Sequence, residues 1–216
     1  MRQQVIRTIE SEKIIVIVRG VSTEKLIPLA QAMYDGGIRL LELTYDATGV
    51  VSDEQTAKNI EILARHFDGK MHIGAGTVLT PKQVELTKAA GGKFIISPDA
   101  YEDVIRKTRE LGLVSIPGAL TPTEIQAAYR SGADFVKLFP VTGLGVDYVK
   151  AMKAPLSHVK LLAVGGIHRG NMAEYKKAGI CGFGIGSNIV DKQLLDANDF
   201  SGIRELAQSY TRVVLE

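Results

Sequence analysis

The chain has 216 residues, 45% of them hydrophobic, with 26 basic and 24 acidic side chains for a formal net charge of +2. That is enough apolar material for a full core, and the near-balance of charge, with no Lys/Arg block, excludes a basic nucleic-acid-binding arm. The stretch MRQQVIRTIESEK is too polar for a signal peptide, IIVIV is far too short to span a bilayer, and Cys181 has no second cysteine to pair with, so a soluble cytoplasmic protein with neither membrane nor nucleic acid as partner is expected.

In chain order, QQVIRTIESE reads as a helix with Val5, Ile6 and Ile9 on one face. Apolar, β-branched runs then recur: IIVIVR (14–19), RLLELT (39–44), MHIGAG (71–76), KFIIS (93–97), LVSIP (113–117), DFVKLF (134–139), KLLAVGG (160–166) and GFGIGS (182–187). These are eight strand candidates, and the segments between them read as helices. STEKLIPLAQAMYDGG opens on a cap at Ser22 or Thr23 and stops on Gly36-Gly37, and TPKQVELTKAAGG starts at Thr80-Pro81 and stops on Gly91-Gly92. TPTEIQAAYRSG repeats the plan. A βα rhythm of about 20 to 30 residues with no linker predicts one domain over residues 1–216. Eight units suit an α/β (β/α)8 TIM barrel with an extra N-terminal helix closing one end, better than an open doubly wound sheet of five or six strands.

In such a barrel the chemistry sits at the C-terminal ends of the strands. Those ends carry Arg19, Glu42 with Thr44, Gly74 to Thr77, Ser97-Pro98, Pro117-Gly118, Lys137, Gly165-Gly166 and Gly184 to Ser187. Lys137, in GADFVKLFPV, stands among Phe135, Val136, Leu138 and Phe139. An ammonium buried there either snorkels to water, pairs with a carboxylate such as Asp134, or loses its proton and becomes a nucleophile. Glu42 poses the same question among Leu40, Leu41 and Leu43. The two charges meet in a barrel lumen either as a structural ion pair or as groups that tune one another for proton transfer. VGGI (164–167) and GIGSN (184–188) follow the last two strands, where barrels bind phosphate through backbone N–H groups. His66, His72, His158 and His168 lack ligand spacing, so no metal is expected; His72 reads as structural and Cys181 as a small buried filler.

Together, GGIRLLELT, IGAGTVLTP, FIISP, SIPGALTPTE, VKLFP and VGGI resemble the family of 2-keto-3-deoxy-6-phosphogluconate (KDPG) and 4-hydroxy-2-oxoglutarate (KHG) aldolases, over nearly the whole chain. The resemblance implies a trimeric class I aldolase of small-molecule 2-keto acids that needs no cofactor. By it, Lys137 is the Schiff-base lysine, Glu42 the acid/base, and Thr77 a holder of the pyruvyl carboxylate. Arg19, Gly165, Gly166 and Ser187 form the anionic or phosphate end, and Pro98, Pro117 and Phe139 shape the pocket. Two departures stand out. Asp46 occupies the position, four residues after the glutamate, where many members carry a carboxylate-binding arginine. Ala163-Val164 replaces the Pro-Thr that precedes Gly-Gly in the phosphogluconate branch, and valine there resembles the branch handling the C4 epimer, galactonate. The galactonate and KHG activities are therefore alternative readings, and a non-aldolase phosphosugar barrel or a sugar-acid binding protein are more distant ones.

Overall fold

The structure, a computed structural model, describes residues 1–215. In chain order it comprises α1 (Arg2–Glu12), β1 (Ile14–Val18), α2 (Thr23–Asp35), β2 (Leu40–Thr44), α3 (Asp53–His66), β3 (His72–Gly76), α4 (Pro81–Ala89), β4 (Phe94–Ile96), α5 (Glu102–Glu110), β5 (Val114–Ile116), β6 (Gly118–Ala119) and α6 (Pro122–Arg130). There follow β7 (Val136–Leu138), α7 (Gly145–Lys153), β8 (Leu161–Val164), α8 (Met172–Lys177), β9 (Gly182–Ile185), α9 (Lys192–Asp196) and α10 (Phe200–Leu215). Every expected strand is present, each shorter than its apolar run because pairing stops before the run does.

All strand pairs are parallel, in the order β5-β4-β3-β2-β1-β9-β8-β7-β6. The expected strand LVSIP (113–117) holds β5, and the chain continues past it into a second short strand, β6, parted from β5 only by Pro117, which has no N–H to donate. Its carbonyl still serves the ladder, accepting from Lys137 N–H at 2.8 Å, while Ile116 O accepts from Ser97 N–H at 3.2 Å. One broken stretch thus forms both ends of the strand order and closes the ring as a (β/α)8 barrel.

Local chemistry places the helices around it. Thr80 with Gln83 and Thr121 with Glu124 form reciprocal capping boxes, each followed by a proline that begins the helix. Ser22 is the N-cap of α2, but its hydroxyl bonds Glu24 rather than a backbone N–H.

Two apolar layers result. Ile15, Leu40, Phe94, Ile96, Val114, Ile116, Phe135 and Leu162 form one cluster with Val5, Ile6 and Ile9 of α1, so the opening helix plugs the N-terminal end of the lumen. The larger cluster lies between strands and helices. Asp134 fixes the plug: its carboxylate pairs with Arg2 and accepts from Arg109 Nη1 at 2.9 Å and from Ser115 N–H at 3.0 Å. With these partners Asp134 is not the counter-ion of Lys137.

Candidate active site

Alternation along a strand turns the lumen from apolar to polar over one step. Leu40 and Phe135 belong to the lumen cluster, and two residues further toward the C-terminal ends come Glu42 and Lys137, on the same faces. The strands β2 and β7 are separated in the ring by β1, β9 and β8, so in a barrel of eight they stand on opposite sides. Both side chains are buried, Glu42 to 2% and Lys137 to 8% exposure. Neither the snorkelling reading of Lys137 nor the structural ion pair survives this geometry, because among the described residues no cation lies within 4.0 Å of the Glu42 carboxylate. Glu42 Oε2 is buried without any hydrogen-bond partner among the described residues.

Burial pushes the Glu42 carboxyl up from 4.5 to about 7, against the opposing pull of Lys137 and Arg19. It also pushes the Lys137 amine below its ordinary value; Glu42 opposes that shift and Arg19 adds to it. The acid and the amine therefore approach one another in proton affinity. Lys137 Nζ rests 4.3 Å from the centroid of the Phe139 ring, a contact that the ring face makes attractive to the charged form. Glycine makes room for the acid, since a Cβ on Gly76 would fall against Glu42 Oε1 and 2.7 Å from its Cδ.

Around this pair the other expected residues gather unevenly. Arg19, exposed just past β1, donates from Nη2 to Thr77 Oγ1 at 3.0 Å. Thr77 has φ 54, a left-handed conformation that a β-branched residue adopts only under strain and that marks functional sites. Pro98 and Pro117 approach one another through Gly118, where a Cβ would collide with Pro98 O. Gly165 and Gly166 leave β8 at φ 94 and 73, and their N–H groups, with those of Ser187 and Asn188, have no protein acceptor among the described residues. The turn at Ser187 is tied to the Gly166 side by Asn188 Nδ2, which donates to Ile167 O at 2.9 Å.

Asp46 is spoken for within its own loop. Oδ1 accepts from the Thr48 N–H at 2.9 Å and its hydroxyl at 2.7 Å, Oδ2 accepts from the Val51 N–H at 2.9 Å, and these bonds hold the carboxyl down at about 2. Among the remaining candidates, His72 is half-buried against Thr8 of α1, at 3.3 Å. His168 is exposed and accepts from Gly170 N–H. Cys181 lies just before β9, partly buried, its thiol pushed up to about 11 by burial. No group of metal-ligating side chains occurs among the described residues.

One neighbour of the site escaped the sequence reading. Thr142, in the loop after β7, lies against the Gly165-Gly166 turn. It follows Pro140 in an irregular segment, where periodicity carries no signal.

Comparison with known proteins points one way. The model of the family described as KDPG and KHG aldolase matches residues 5–206. The chain is 34% identical, over 97% of its length and 97% of the relative, to a 2-dehydro-3-deoxy-phosphogluconate aldolase of Treponema pallidum (strain Nichols). To a 2-dehydro-3-deoxy-6-phosphogalactonate aldolase of Escherichia coli (strain K12) it is 33% identical over 82% of its length and 83% of the relative. Among solved structures, a KDPG aldolase from Legionella pneumophila, with pyruvate captured at low pH as a covalent carbinolamine intermediate, superposes with a TM-score of 0.85 at 29% identity, covering 95% of this chain and 97% of that one.

Proposed function

Since the chain belongs to the KDPG and KHG aldolase family, we propose that it is a class I aldolase that cleaves a 2-keto-3-deoxy sugar acid, 6-phosphorylated as in KDPG, to pyruvate and an aldehyde such as glyceraldehyde 3-phosphate. One observation carries the proposal: a buried amine and a buried carboxylate on opposed strands, shifted toward each other in proton affinity and left unpaired.

In this reading the neutral Lys137 amine attacks the C2 carbonyl, and Glu42 moves the protons that turn the carbinolamine into a protonated imine with loss of water. Glu42 then takes the proton of the C4 hydroxyl. The C3–C4 electron pair passes into the imine as that bond breaks, the aldehyde departs, and the resulting enamine is protonated at C3 and hydrolysed to pyruvate. A carboxyl near 7 suits both halves of this proton traffic at neutral pH. Thr77, held by Arg19, receives the pyruvyl carboxylate. The N–H groups of Gly165 and Gly166, with Ser187 and Arg19, receive the terminal anion; Pro98, Pro117 and Phe139 enclose the imine.

A second reading, cleavage of the C4 epimer 2-keto-3-deoxy-6-phosphogalactonate, is favoured by Val164, which puts a methyl group where the phosphogluconate branch resembled by this chain has a threonine hydroxyl. Identities of 34% and 33% to the two kinds of relative do not separate them. Activity on KHG is a third possibility within the same chemistry. Family membership further supports a homotrimer working in the cytoplasm; light scattering of the purified protein gives the mass directly.

Incubation with pyruvate and borohydride, followed by intact mass measurement and peptide mapping, tests the mechanism. A pyruvyl adduct on Lys137, absent from Lys137→Ala, is expected. Turnover retained in full by Lys137→Ala would sink it, and substrate binding without pyruvate release would mark a binding protein instead.

A further inference from the structure

The loop leaving β7 lies directly on the glycine turn leaving β8. Val141 N–H donates to Val164 O at 3.1 Å. A methyl group on Gly166 would stand 2.9 Å from Thr142 Oγ1 and 3.3 Å from its Cα, and one on Gly165 would stand 3.4 Å from the same oxygen. Thr142 is exposed, and neither its hydroxyl nor its N–H makes a hydrogen bond to any described residue.

The lumen side of this corner is apolar. Val164 follows the lumen residue Leu162 by two, and a Cβ on Gly184 would stand 2.8 Å from Val164 Cγ2 and 3.4 Å from Ile17 Cδ1. A substrate group reaching the turn therefore meets hydrocarbon from Val164 and Ile17 on one side and the Thr142 hydroxyl on the other. A hydroxyl rotates freely, so it can donate to whichever oxygen of an anion the backbone N–H groups leave unserved.

We propose that Thr142 is a specificity-determining residue, whose hydroxyl donates to the terminal phosphate monoester of the substrate beside the N–H groups of Gly165 and Gly166. The proposal rests on the aldolase reading and adds to it a group from a different loop. It gives a role to a hydroxyl that the pairing of β7 with β8 brings against the glycine turn and that makes no hydrogen bond to any described residue.

The test compares wild type, Thr142→Val and Thr142→Ser on a 2-keto-3-deoxy-6-phospho sugar acid and its unphosphorylated counterpart. The ratio of kcat/KM for phosphorylated over unphosphorylated substrate should fall about tenfold in Thr142→Val, the effect of losing one hydrogen bond to a charged group, and recover in Thr142→Ser. An unchanged ratio, whether both substrates suffer equally or neither does, overturns the assignment. Exchange of the pyruvate methyl protons for deuterium in wild type is measured alongside. It depends only on the imine end, so its absence would overturn the aldolase reading itself.

Discussion

Glu42 and Lys137 confront each other across the mouth of the barrel from opposed strands, each buried and neither within ion-pair reach of the other. Replacing Lys137 by Met removes the amine and keeps the bulk. Burying an amine that has no ion-pair partner costs stability, so Lys137→Met should melt no lower than wild type while losing pyruvate release altogether. Thermal unfolding and a coupled pyruvate assay read the two effects separately.

The raised Glu42 carboxyl makes stability depend on pH in a definite sense. Below 4.5 the group is protonated in both folded and unfolded chains and costs nothing; as pH rises toward about 7 the unfolded chain ionises first and gains. Stability is therefore lost between those values and stays lost above them. Glu42→Gln escapes this loss, so its stability relative to wild type should grow by about 3 kcal/mol between pH 4.5 and pH 8. Urea denaturation across that range measures the gap, and a gap that does not change with pH contradicts the burial argument.

Turnover should show the same group from the other side. The acid limb of kcat/KM is expected near pH 7, where Glu42 becomes able to accept a proton. The limb should disappear in Glu42→Gln together with most of the activity.

Gly76→Ala tests how tightly the acid is placed. The added methyl falls against Glu42 Oε1, and Gly76 is not among the residues with positive φ, so the backbone tolerates alanine while the carboxylate must move. A fall in kcat of at least about tenfold is expected, as misplacement of a proton-transfer group commonly brings. The Lys137 adduct with pyruvate and borohydride should still form.

Restoring the arginine that many family members carry should not improve this protein. Both Asp46 oxygens are used within the loop from Asp46 to Val51, so Asp46→Arg releases the loop before it offers a cation to the substrate. KM should rise in Asp46→Arg and rise less in Asp46→Asn. A lower KM in Asp46→Arg would show that the carboxylate merely repels substrate.

The barrel and the buried Glu42 and Lys137 were legible because both are violations or repetitions of strong patterns: charges set in apolar strands, and a strand-helix alternation with proline-led caps. Pro117 was not legible as a break between two strands, since it closes the largely apolar run LVSIP and the missing N–H matters only once a neighbour seeks it. Asp46 looked like a reversed charge at a binding position; the three donors that occupy it are in the next five residues and form no motif. The anchoring of Asp134 by Arg2 joins residues 132 apart in the chain, a distance over which sequence alone has no means of choosing partners.

Closure of the lumen by Val5, Ile6 and Ile9 makes the barrel a blind tube with one doorway. In the proposed reaction pyruvate is bonded deep at Lys137, while the aldehyde lies toward the opening. Products then leave in a fixed queue: the aldehyde first, pyruvate second, and in the reverse direction pyruvate must enter before any aldehyde. Product inhibition should carry that order, with pyruvate competitive against the cleaved sugar acid and the aldehyde noncompetitive.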